Sequence, residues 1–474
     1  MSAEDVQASS ATSISDDAAG QIRITLTTRD KSVAVPDVPL YVPLNLKRYG
    51  LSEVVNHLLA TERPIPFDFL INSELLRTSL QEYIVQHGLS SEQTLTLEFT
   101  RSILPPTFLA SYSHPDWVSS VDVIDTSASN NNNNNSSKVA TAPILSGCYD
   151  GIVRAWNLSG SVISEFGGHT GPVKSVKWLD ETKIVSASMD RSIRIWKVPV
   201  TDDDAQGAEE VGRNGPQTVT SARTFTGHKS TVEDIAVNAA TSRMLSAGAD
   251  GAVGLWTTNY REAPPATVSV SIREMSGKRR KKTPVPSRGP ISMMDSHTGP
   301  VTGVIFDAKD STVGYSVSLD HTIKTWDLVT GALVDTRTTS FPLLSITALP
   351  ELSLLCCGSS ARHVTLHDPR VAADSSTTST LTGHTSFVVS LSTSPESEFM
   401  LSSASHDGTV RVWDVRAQKS LYVISREAKT ADKLKVFGVH WSRNVGIVSG
   451  GEDKRVQINR GTGLEAISEP KTQE

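Results

Sequence analysis

The feature that most constrains this chain of 474 residues is an aspartate followed six residues later by a tryptophan, five times over. The pairs are Asp150/Trp156, Asp190/Trp196, Asp250/Trp256, Asp320/Trp326 and Asp407/Trp413. Four of these aspartates are preceded, 21 to 23 residues upstream, by a histidine: His169, His228, His297 and His384. A unit that recurs in this way cannot bury its faces alone, so it packs against copies of itself.

One repeat, from Gly383 to Asp414, shows what the unit is. It holds three runs of strand length, separated by turn residues, at Phe387–Leu391, Phe399–Ser403 and Thr409–Trp413. The Asp407-Gly408 pair between the last two runs is a hairpin-turn signal, because glycine tolerates positive φ. With one more strand after Trp413, the unit is a sheet of about four strands.

Two degenerate copies raise the number of units to seven. Leu354–Asp368 has His367 at the tryptophan position, and Val436–Asn459 keeps Asp453 and has Ile458 near that position. The repeats resemble those of a seven-bladed WD-repeat β-propeller, over roughly residues 103–460. In that family histidine, a strand serine or threonine, aspartate and tryptophan form a hydrogen-bonded chain. The resemblance therefore gives a structural rather than catalytic or metal-binding role to His169, Asp190, Trp196, His228, Asp250, Trp256, His297, Asp320, Trp326, His384, Asp407 and Trp413.

Residues 21–101 follow a different pattern, which predicts an α+β ubiquitin-like β-grasp domain. Apolar residues with a helical period fill Leu46–Leu59, and prolines end that helix. The predicted order is strand Ile22–Thr27, returning strand Val33–Pro36, helix Leu46–Leu59, strand Phe67–Ile71, short helix Leu80–Val85 and strand Leu95–Phe99.

The predicted organisation is therefore mainly β, with the propeller at 102–464 after the β-grasp domain. We expect disordered tails at 1–20 and 465–474, and insertions in the propeller at 128–138, 199–222 and 257–291. Thr107–His114 resembles the outermost strand that precedes the other units. We expect this strand to complete the last blade after Asn459 and so to close the ring.

Composition and motifs narrow the class of protein. The net charge of −6 argues against binding polyanions through bulk electrostatics. Cys148, Cys356 and Cys357 lack metal-site spacing, which indicates unpaired thiols in a reducing compartment. The chain has no apolar run of membrane-spanning length and no signal-peptide pattern, so we expect neither insertion nor secretion. No phosphate loop, nucleophile elbow or zinc motif is present, and we predict a protein that is not an enzyme and has no cofactor.

The third insertion contains five consecutive cations, Lys278, Arg279, Arg280, Lys281 and Lys282. Such a run serves nuclear import, contacts nucleic-acid phosphates, or is simply a solvated loop. The first of these is our leading interpretation.

The combination of domains identifies a narrower resemblance. The segments that carry it are Leu46–Leu59, Pro66–Ile84, Ile103–Ser120, Tyr315–Thr330 and Cys357–Arg370. They resemble the eukaryotic WD-repeat ribosome-biogenesis family of the large-subunit assembly trimer. The resemblance implies that the propeller binds the block-of-proliferation protein, together with pescadillo, on pre-60S particles for rRNA maturation. It also implies a location in the nucleus, nucleolus and nucleoplasm, with no membrane or small-molecule substrate.

The same resemblance implies one further partner, the AAA ATPase midasin, which grasps the ubiquitin-like domain. Midasin holds Mg²⁺ with an open coordination place, and a hard cation of this kind binds a carboxylate oxygen. The family's acidic residue lies in a Gly-Leu-Ser-x-Glu loop, which here runs from Gly88 to Glu92. Glu92 is therefore the implied ligand, although composition alone does not separate it from Glu74 and Glu82.

Two other classes of function stay open. A ubiquitin-signalling adaptor would need an apolar patch of ubiquitin type on the sheet of the N-terminal domain. A generic peptide-binding propeller would need a basic or aromatic cage at the loops around the central channel. The sequence shows no clustered aromatic residues in those loops, which disfavours the second class.

Overall fold

The computed structural model describes residues 20–29, 33–61, 64–72, 74–90, 94–102, 105–125, 143–198, 216–219, 222–266, 287–371, 379–417, 419–426 and 434–461. The chain divides into two compact units, Met1–Ile103 and Leu104–Glu474. The fold is mainly β, with two helices among these residues. None of the helices described is long and apolar enough to cross a membrane.

The N-terminal unit is a five-stranded sheet with two helices. Its elements are β1 (Gln21–Thr27), β2 (Leu40–Pro43), α1 (Arg48–Leu59), β3 (Phe67–Ile71), β4 (Glu74–Leu75), α2 (Leu80–His87) and β5 (Leu95–Arg101). The strand order is β2-β1-β5-β3-β4. The neighbouring strands β1 and β5 are parallel, and the other pairs are antiparallel.

The core of this unit follows from alternation along the strands and helical spacing in α1. Ile22, Ile24 and Leu26 of β1 all point inward, and Leu51 and Val55 of α1 are buried with them. Helix α2 begins at Ser79, whose hydroxyl accepts a hydrogen bond from the backbone N–H of Glu82. The helix ends at Gly88, which has a φ of 61° and suits a left-handed cap.

One strand prediction in this unit is wrong. Val33–Pro36 does not pair with β1; instead Leu40–Pro43 does, in the register Ile22↔Val42. Val33 is nevertheless buried in the core, which explains its apolar character. Pro36 has no N–H to donate to a ladder, so the pairing begins only beyond it.

The C-terminal unit contains seven sheets of four or five strands each. In blade order they are blade 1, β7 (Val118–Val123), β8 (Ile144–Cys148), β9 (Ile152–Trp156), β10 (Val162–Gly167) and β14 (Gln217–Val219); blade 2, β11 (Val173–Asp180), β12 (Lys183–Ser188), β13 (Ser192–Lys197), β15 (Ala222–Thr226) and β19 (Ser287–Arg288); blade 3, β16 (Val232–Asn238), β17 (Arg243–Gly248), β18 (Ala252–Thr257) and β20 (Ser292–Asp295).

The remaining four blades have four strands each. They are blade 4, β21 (Val301–Phe306), β22 (Val313–Ser318), β23 (Thr322–Asp327) and β24 (Ala332–Thr338); blade 5, β25 (Leu343–Leu349), β26 (Leu354–Ser359), β27 (His363–His367) and β28 (Ser379–Thr382); blade 6, β29 (Val388–Thr393), β30 (Met400–Ser405), β31 (Thr409–Asp414) and β32 (Tyr422–Ser425); blade 7, β33 (Val436–Ser442), β34 (Gly446–Gly451), β35 (Arg455–Arg460) and β6 (Thr107–Ser113).

The first strand of each blade contacts the first strand of the next, and β33 of blade 7 contacts β7 of blade 1. The seven sheets therefore form a closed ring, as the repeats predict. Strand β6 comes first in this unit, yet it pairs antiparallel with β35, from Thr107↔Arg460 to Ser113↔Arg455. Both ends of the propeller are thus joined in one blade, which leaves no first or last blade exposed.

Two predicted insertions contribute strands to the propeller, so their boundaries differ from the prediction. At the end of the 199–222 insertion, Gln217–Val219 pairs in parallel with β10, and Ala222 already belongs to β15. In the 257–291 insertion, Ser287–Arg288 pairs in parallel with β15. Each addition covers the outer edge of a blade, where unpaired backbone groups would otherwise face solvent.

Candidate functional site

Four blades contain the hydrogen-bonded chain expected from the repeats. In blade 2, His169 Nδ1 lies 2.9 Å from Asp190, and its Nε2 lies 2.8 Å from the hydroxyl of Ser186. Trp196 Nε1 donates to the same hydroxyl at 2.9 Å. The same contacts recur in His228/Ser246/Asp250/Trp256, His297/Ser316/Asp320/Trp326 and His384/Ser403/Asp407/Trp413.

In blades 2 and 4 the electrostatics favour a neutral histidine beside an ionised aspartate. Burial lowers the pKa of His169 and of His297. Burial alone would raise the pKa of Asp250, but hydrogen bonds, led by the one from His228, outweigh it and lower that pKa to about 2. A carboxylate only accepts, so the Nδ1–H of the histidine donates to it and Nε2 accepts from the serine. The histidine, serine, aspartate and tryptophan thus bond one another within the blade, as a structural role requires.

Blade 1 has a shorter version, built on a histidine outside the predicted set. His114 Nε2 lies 2.8 Å from the hydroxyl of Ser146, to which Trp156 also donates. Asp150 pairs instead with Arg154, at 2.8 Å. Burial lowers the pKa of His114 to about 4. The signal was present in the sequence, since His114 ends the stretch that resembles the other outermost strands.

Blade 7 replaces the histidine by an arginine. Arg426 Nη1 donates to Asp453 at 2.7 Å, and Nη2 donates to the carbonyl of Ser449 at 2.6 Å. Burial lowers the pKa of Arg426 to about 10, so the group stays charged at neutral pH. The position equivalent to tryptophan is Asn459, which faces Ile447 as Trp196 faces Ile184. Ile458, expected near this position, is the residue before it.

Blade 5 has neither the histidine nor the aspartate. Cys357, fully buried, takes the place of the strand serine, and His367 Nε2 bonds Thr365 at 2.9 Å. All three cysteines are free and buried, as their spacing suggests. Blade 5 therefore relies on apolar packing in place of the chain of hydrogen bonds.

Five aromatic rings form a continuous cluster on loops and strand starts of blades 6, 7 and 1, which we call the aromatic crescent. Successive ring centroids lie 6.0 Å apart for Phe387 and His406, 5.6 Å for His406 and Phe437, 6.0 Å for Phe437 and Trp117, and 5.5 Å for Trp117 and Tyr149. Phe387 is 48% exposed and Trp117 is 37% exposed. The expectation that these loops hold no clustered aromatics is thus wrong, because residues far apart in sequence meet here.

A cavity of about 660 Å³ is lined by the first strands of the blades, and Phe437 of the crescent lies on its wall. Lys177 and His440 line the cavity, and both meet Asp122 behind it, at 3.3 Å and 3.2 Å. Asp122 also accepts from the backbone N–H of Trp178 at 2.7 Å. These contacts join blades 7, 1 and 2, so the side chains hold the ring together.

The open face of the N-terminal sheet is polar. The exposed or half-exposed positions of β1 and β5 are all polar: Gln21, Arg23, Thr25, Thr27, Thr96, Glu98, Thr100 and Arg101. Tyr41 of β2 is an aromatic exception. Within the described residues this face therefore shows no apolar patch of ubiquitin type, which disfavours the signalling adaptor.

Glu92 and the run Lys278–Lys282 both lie outside the described residues. The structure places the chain on either side of Glu92, between Gly88 at the end of α2 and the start of β5 at Leu95. Of the alternatives, Glu74 lies 3.0 Å from His87, and Glu82 is exposed on the first turn of α2. Among the residues described, no group of three or more histidines, cysteines or acids could hold a metal ion.

Comparison with known proteins agrees with this two-part architecture. The family profile for the NLE (NUC135) domain matches residues 22–84. The profile for the WD domain, G-beta repeat, matches residues 106–157, 160–197, 219–257, 288–327 and 375–414. The two degenerate blades, 5 and 7, lie largely outside these matches.

Relatives resemble the chain over almost its whole length. The ribosome biogenesis protein YTM1 of Candida albicans is 50% identical over 465 residues, which cover 94% of this chain and 98% of that protein. The protein of the same name from Saccharomyces cerevisiae is 48% identical over 468 residues, with 94% and 98% coverage. The chain belongs to the YTM1 family. The predicted family resemblance is thus confirmed.

Proposed function

We propose that the protein is a non-enzymatic assembly factor for the large ribosomal subunit. In this proposal the propeller holds the block-of-proliferation protein and pescadillo on pre-60S particles, where the rRNA precursor matures. Membership of a family named for ribosome biogenesis supports the general role. The observation that carries the role of the propeller is the aromatic crescent, because exposed clusters of large rings are typical of protein-binding sites.

The charges beside the crescent favour a protein partner over a polyanion. Lys174 pairs with Glu233 at 3.3 Å, and Lys454 lies 3.6 Å from Asp116. These cations are therefore balanced within the propeller and offer little attraction to phosphate. Tryptophan and other aromatic side chains are the usual anchors of protein interfaces, and balanced charges form their rim. We assign the crescent to the block-of-proliferation partner.

The test removes the two most exposed rings of the crescent. We expect Trp117→Ser with Phe387→Ser to weaken binding of the purified partner at least about 30-fold, the effect of losing a central anchor. Phe108→Ser with Val334→Ser is the matched control, because these residues are 63% and 64% exposed on outer strands. Calorimetric titration measures the affinity of each double variant for the partner. Equal losses in the two variants, or no loss in the first, would exclude the crescent as the docking surface.

We propose further that midasin captures the N-terminal unit through the Glu92 carboxylate on its Mg²⁺, for ATP-driven removal from the particle. The family motif from Gly88 to Glu92 supports this assignment. In the sequence Glu92 lies between Gly88, which ends α2, and Leu95, where β5 begins.

The proposed location is the nucleus, with the nucleolus and nucleoplasm as the places of assembly and release. Large-subunit precursors are made there, and Lys278–Lys282 supplies a candidate import signal. No membrane, small-molecule substrate or resident cofactor takes part in this proposal.

A further inference from the structure

Two arginine side chains stack on one tyrosine ring at the outer side of blade 2. The guanidinium carbon of Arg288 lies 5.0 Å from the ring centroid of Tyr260, and that of Arg223 lies 5.5 Å from it. Phe225 meets the same ring edge-on, at 5.7 Å. Phe225 is fully buried, so the tyrosine is fixed on the core and holds both cations at one place.

The short fifth strand of blade 2 builds this arrangement. Arg288 lies beside Phe225 in the parallel pairing of β19 with β15, and Arg223 is two residues before Phe225. The backbone N–H of Gly289 donates to the carbonyl of Pro264 at 2.8 Å, and Pro265 forms a bridge with Arg288. Strand β19 is thus held by contacts on both sides, and these contacts bring Arg288 close to Arg223.

Neither arginine has a carboxylate partner in the described part of the chain. The Nε of Arg288 is buried without a hydrogen-bond acceptor there. Two other arginines of the propeller do have carboxylate partners: Arg426 meets Asp453, and Arg337 meets Asp335 and three carbonyls. Two like charges held together attract an anion.

We propose that Arg223, Tyr260 and Arg288 form a binding site for the phosphate backbone of RNA. Stacking uses the flat face of a guanidinium and leaves its N–H edges free for phosphate oxygens. Two guanidinium groups held against one ring favour a polyanion over a single acidic side chain. The site rests on the proposed role in ribosome assembly but is independent of the crescent.

The experiment measures binding of the full-length protein to a fluorescent single-stranded oligouridylate between about 50 and about 200 mM salt. We expect Arg223→Gln with Arg288→Gln to lower the slope of log affinity against log salt by about 1.4, the loss of two phosphate contacts. Arg191→Gln with Arg362→Gln removes the same charge from two exposed turns of the propeller and should leave the slope unchanged.

A second double variant controls for the possibility that the substitutions disrupt β19, the fifth strand of blade 2. Arg223→Lys with Arg288→Lys keeps both charges but not the stacking, so we expect an unchanged slope with weaker affinity. An unchanged slope in the glutamine variant, or an equal loss in the turn variant, would overturn the proposal. An oligoglutamate that competes as well as RNA would also overturn it, in favour of an acidic protein. Binding of the block-of-proliferation partner should be normal in all these variants, which separates this site from the crescent.

Discussion

Arg426 Nη1 lies 2.7 Å from Asp453 Oδ1, where four other blades place a histidine against the aspartate. The substitution keeps the aspartate in the turn but converts a bond from a neutral ring into a buried ion pair. The guanidinium also reaches the carbonyls of Ser449 and Arg455, which a histidine could not do at once. In blade 7, which closes the ring, one side chain thus makes more hydrogen bonds than the equivalent histidine makes in other blades.

We expect Arg426→Ala to destabilise the propeller by about 3–5 kcal/mol, because the Asp453 carboxylate would be left without its cation. Denaturant unfolding measures this loss. Arg370→Ala is the control, since Arg370 pairs with Asp368 at 2.7 Å but is 65% exposed, and solvent screens such a pair. If the two variants unfold at the same denaturant concentration, the pair in blade 7 does not stabilise the ring.

The low pKa of His114 predicts a dependence of stability on pH. Burial lowers this pKa from 6.5 to about 4, and the nearby Arg154 acts in the same direction. Below pH 6.5 the His114 imidazole is protonated in the unfolded chain but stays neutral in the folded chain. Stability is therefore lost as the pH falls toward 4. The contribution of this group is about 3 kcal/mol.

Calorimetric melting between these pH values tests the effect, with His114→Gln as the variant. Glutamine can still bond Ser146 but does not titrate, so we expect a flatter profile. The lowered pKa values of His169 and His297 also reduce stability as the pH falls. Both residues are present in the wild type and in the variant, so their effect is the same in the two profiles. Profiles of identical slope would show that His114 does not titrate as the burial of its ring implies.

Tyr112 fastens the closing strand β6 to blade 1. Its hydroxyl donates to the carbonyl of Leu158 at 2.7 Å, and its ring stacks on Trp156 at 5.6 Å. We expect Tyr112→Phe to cost about 1 kcal/mol of unfolding free energy, because only the hydrogen bond is lost. Tyr41→Phe, at a residue 69% exposed in the N-terminal unit, should cost nothing measurable in the same denaturation experiment.

Glu92→Ala should abolish Mg²⁺-dependent capture of the full-length protein by midasin and leave binding of the block-of-proliferation partner unchanged. The reason is that only the carboxylate is proposed to reach the cation. A pull-down in Mg²⁺ and in EDTA measures the effect. Glu53→Ala removes another exposed carboxylate, on α1, and should behave as the wild type. Capture that ignores both Mg²⁺ and Glu92 would make the N-terminal unit a plain docking module.

Deletion of Lys278–Lys282 should shift the protein out of the nucleus, because the deletion removes the candidate import signal. Fluorescence imaging of the tagged protein measures its distribution. Deletion of Asn131–Asn135 is the matched control, since it removes five uncharged residues from another predicted insertion. Nuclear accumulation of both deleted proteins would contradict the prediction.

Repetition decided which parts of this molecule were predictable from sequence. The Asp190–Trp196 spacing and its copies predicted the blades, and the likeness of Thr107–His114 to other outermost strands predicted the closure. Arg426 was not predictable, because an arginine matches no repeat position until the fold brings it to Asp453. The crescent was missed because Trp117 and Phe437 meet only when blade 7 closes on blade 1.

Closure by β6 has a mechanical consequence. The N-terminal unit ends with β5 at Arg101, and β6 begins at Thr107. A pulling force transmitted along the chain from that unit therefore reaches the propeller at Thr107, which is the first residue of the strand that closes the ring. The load falls on the ladder between β6 and β35 before it reaches any other blade. Force applied to the N-terminal unit through the chain thus acts on the strand pair that closes the propeller.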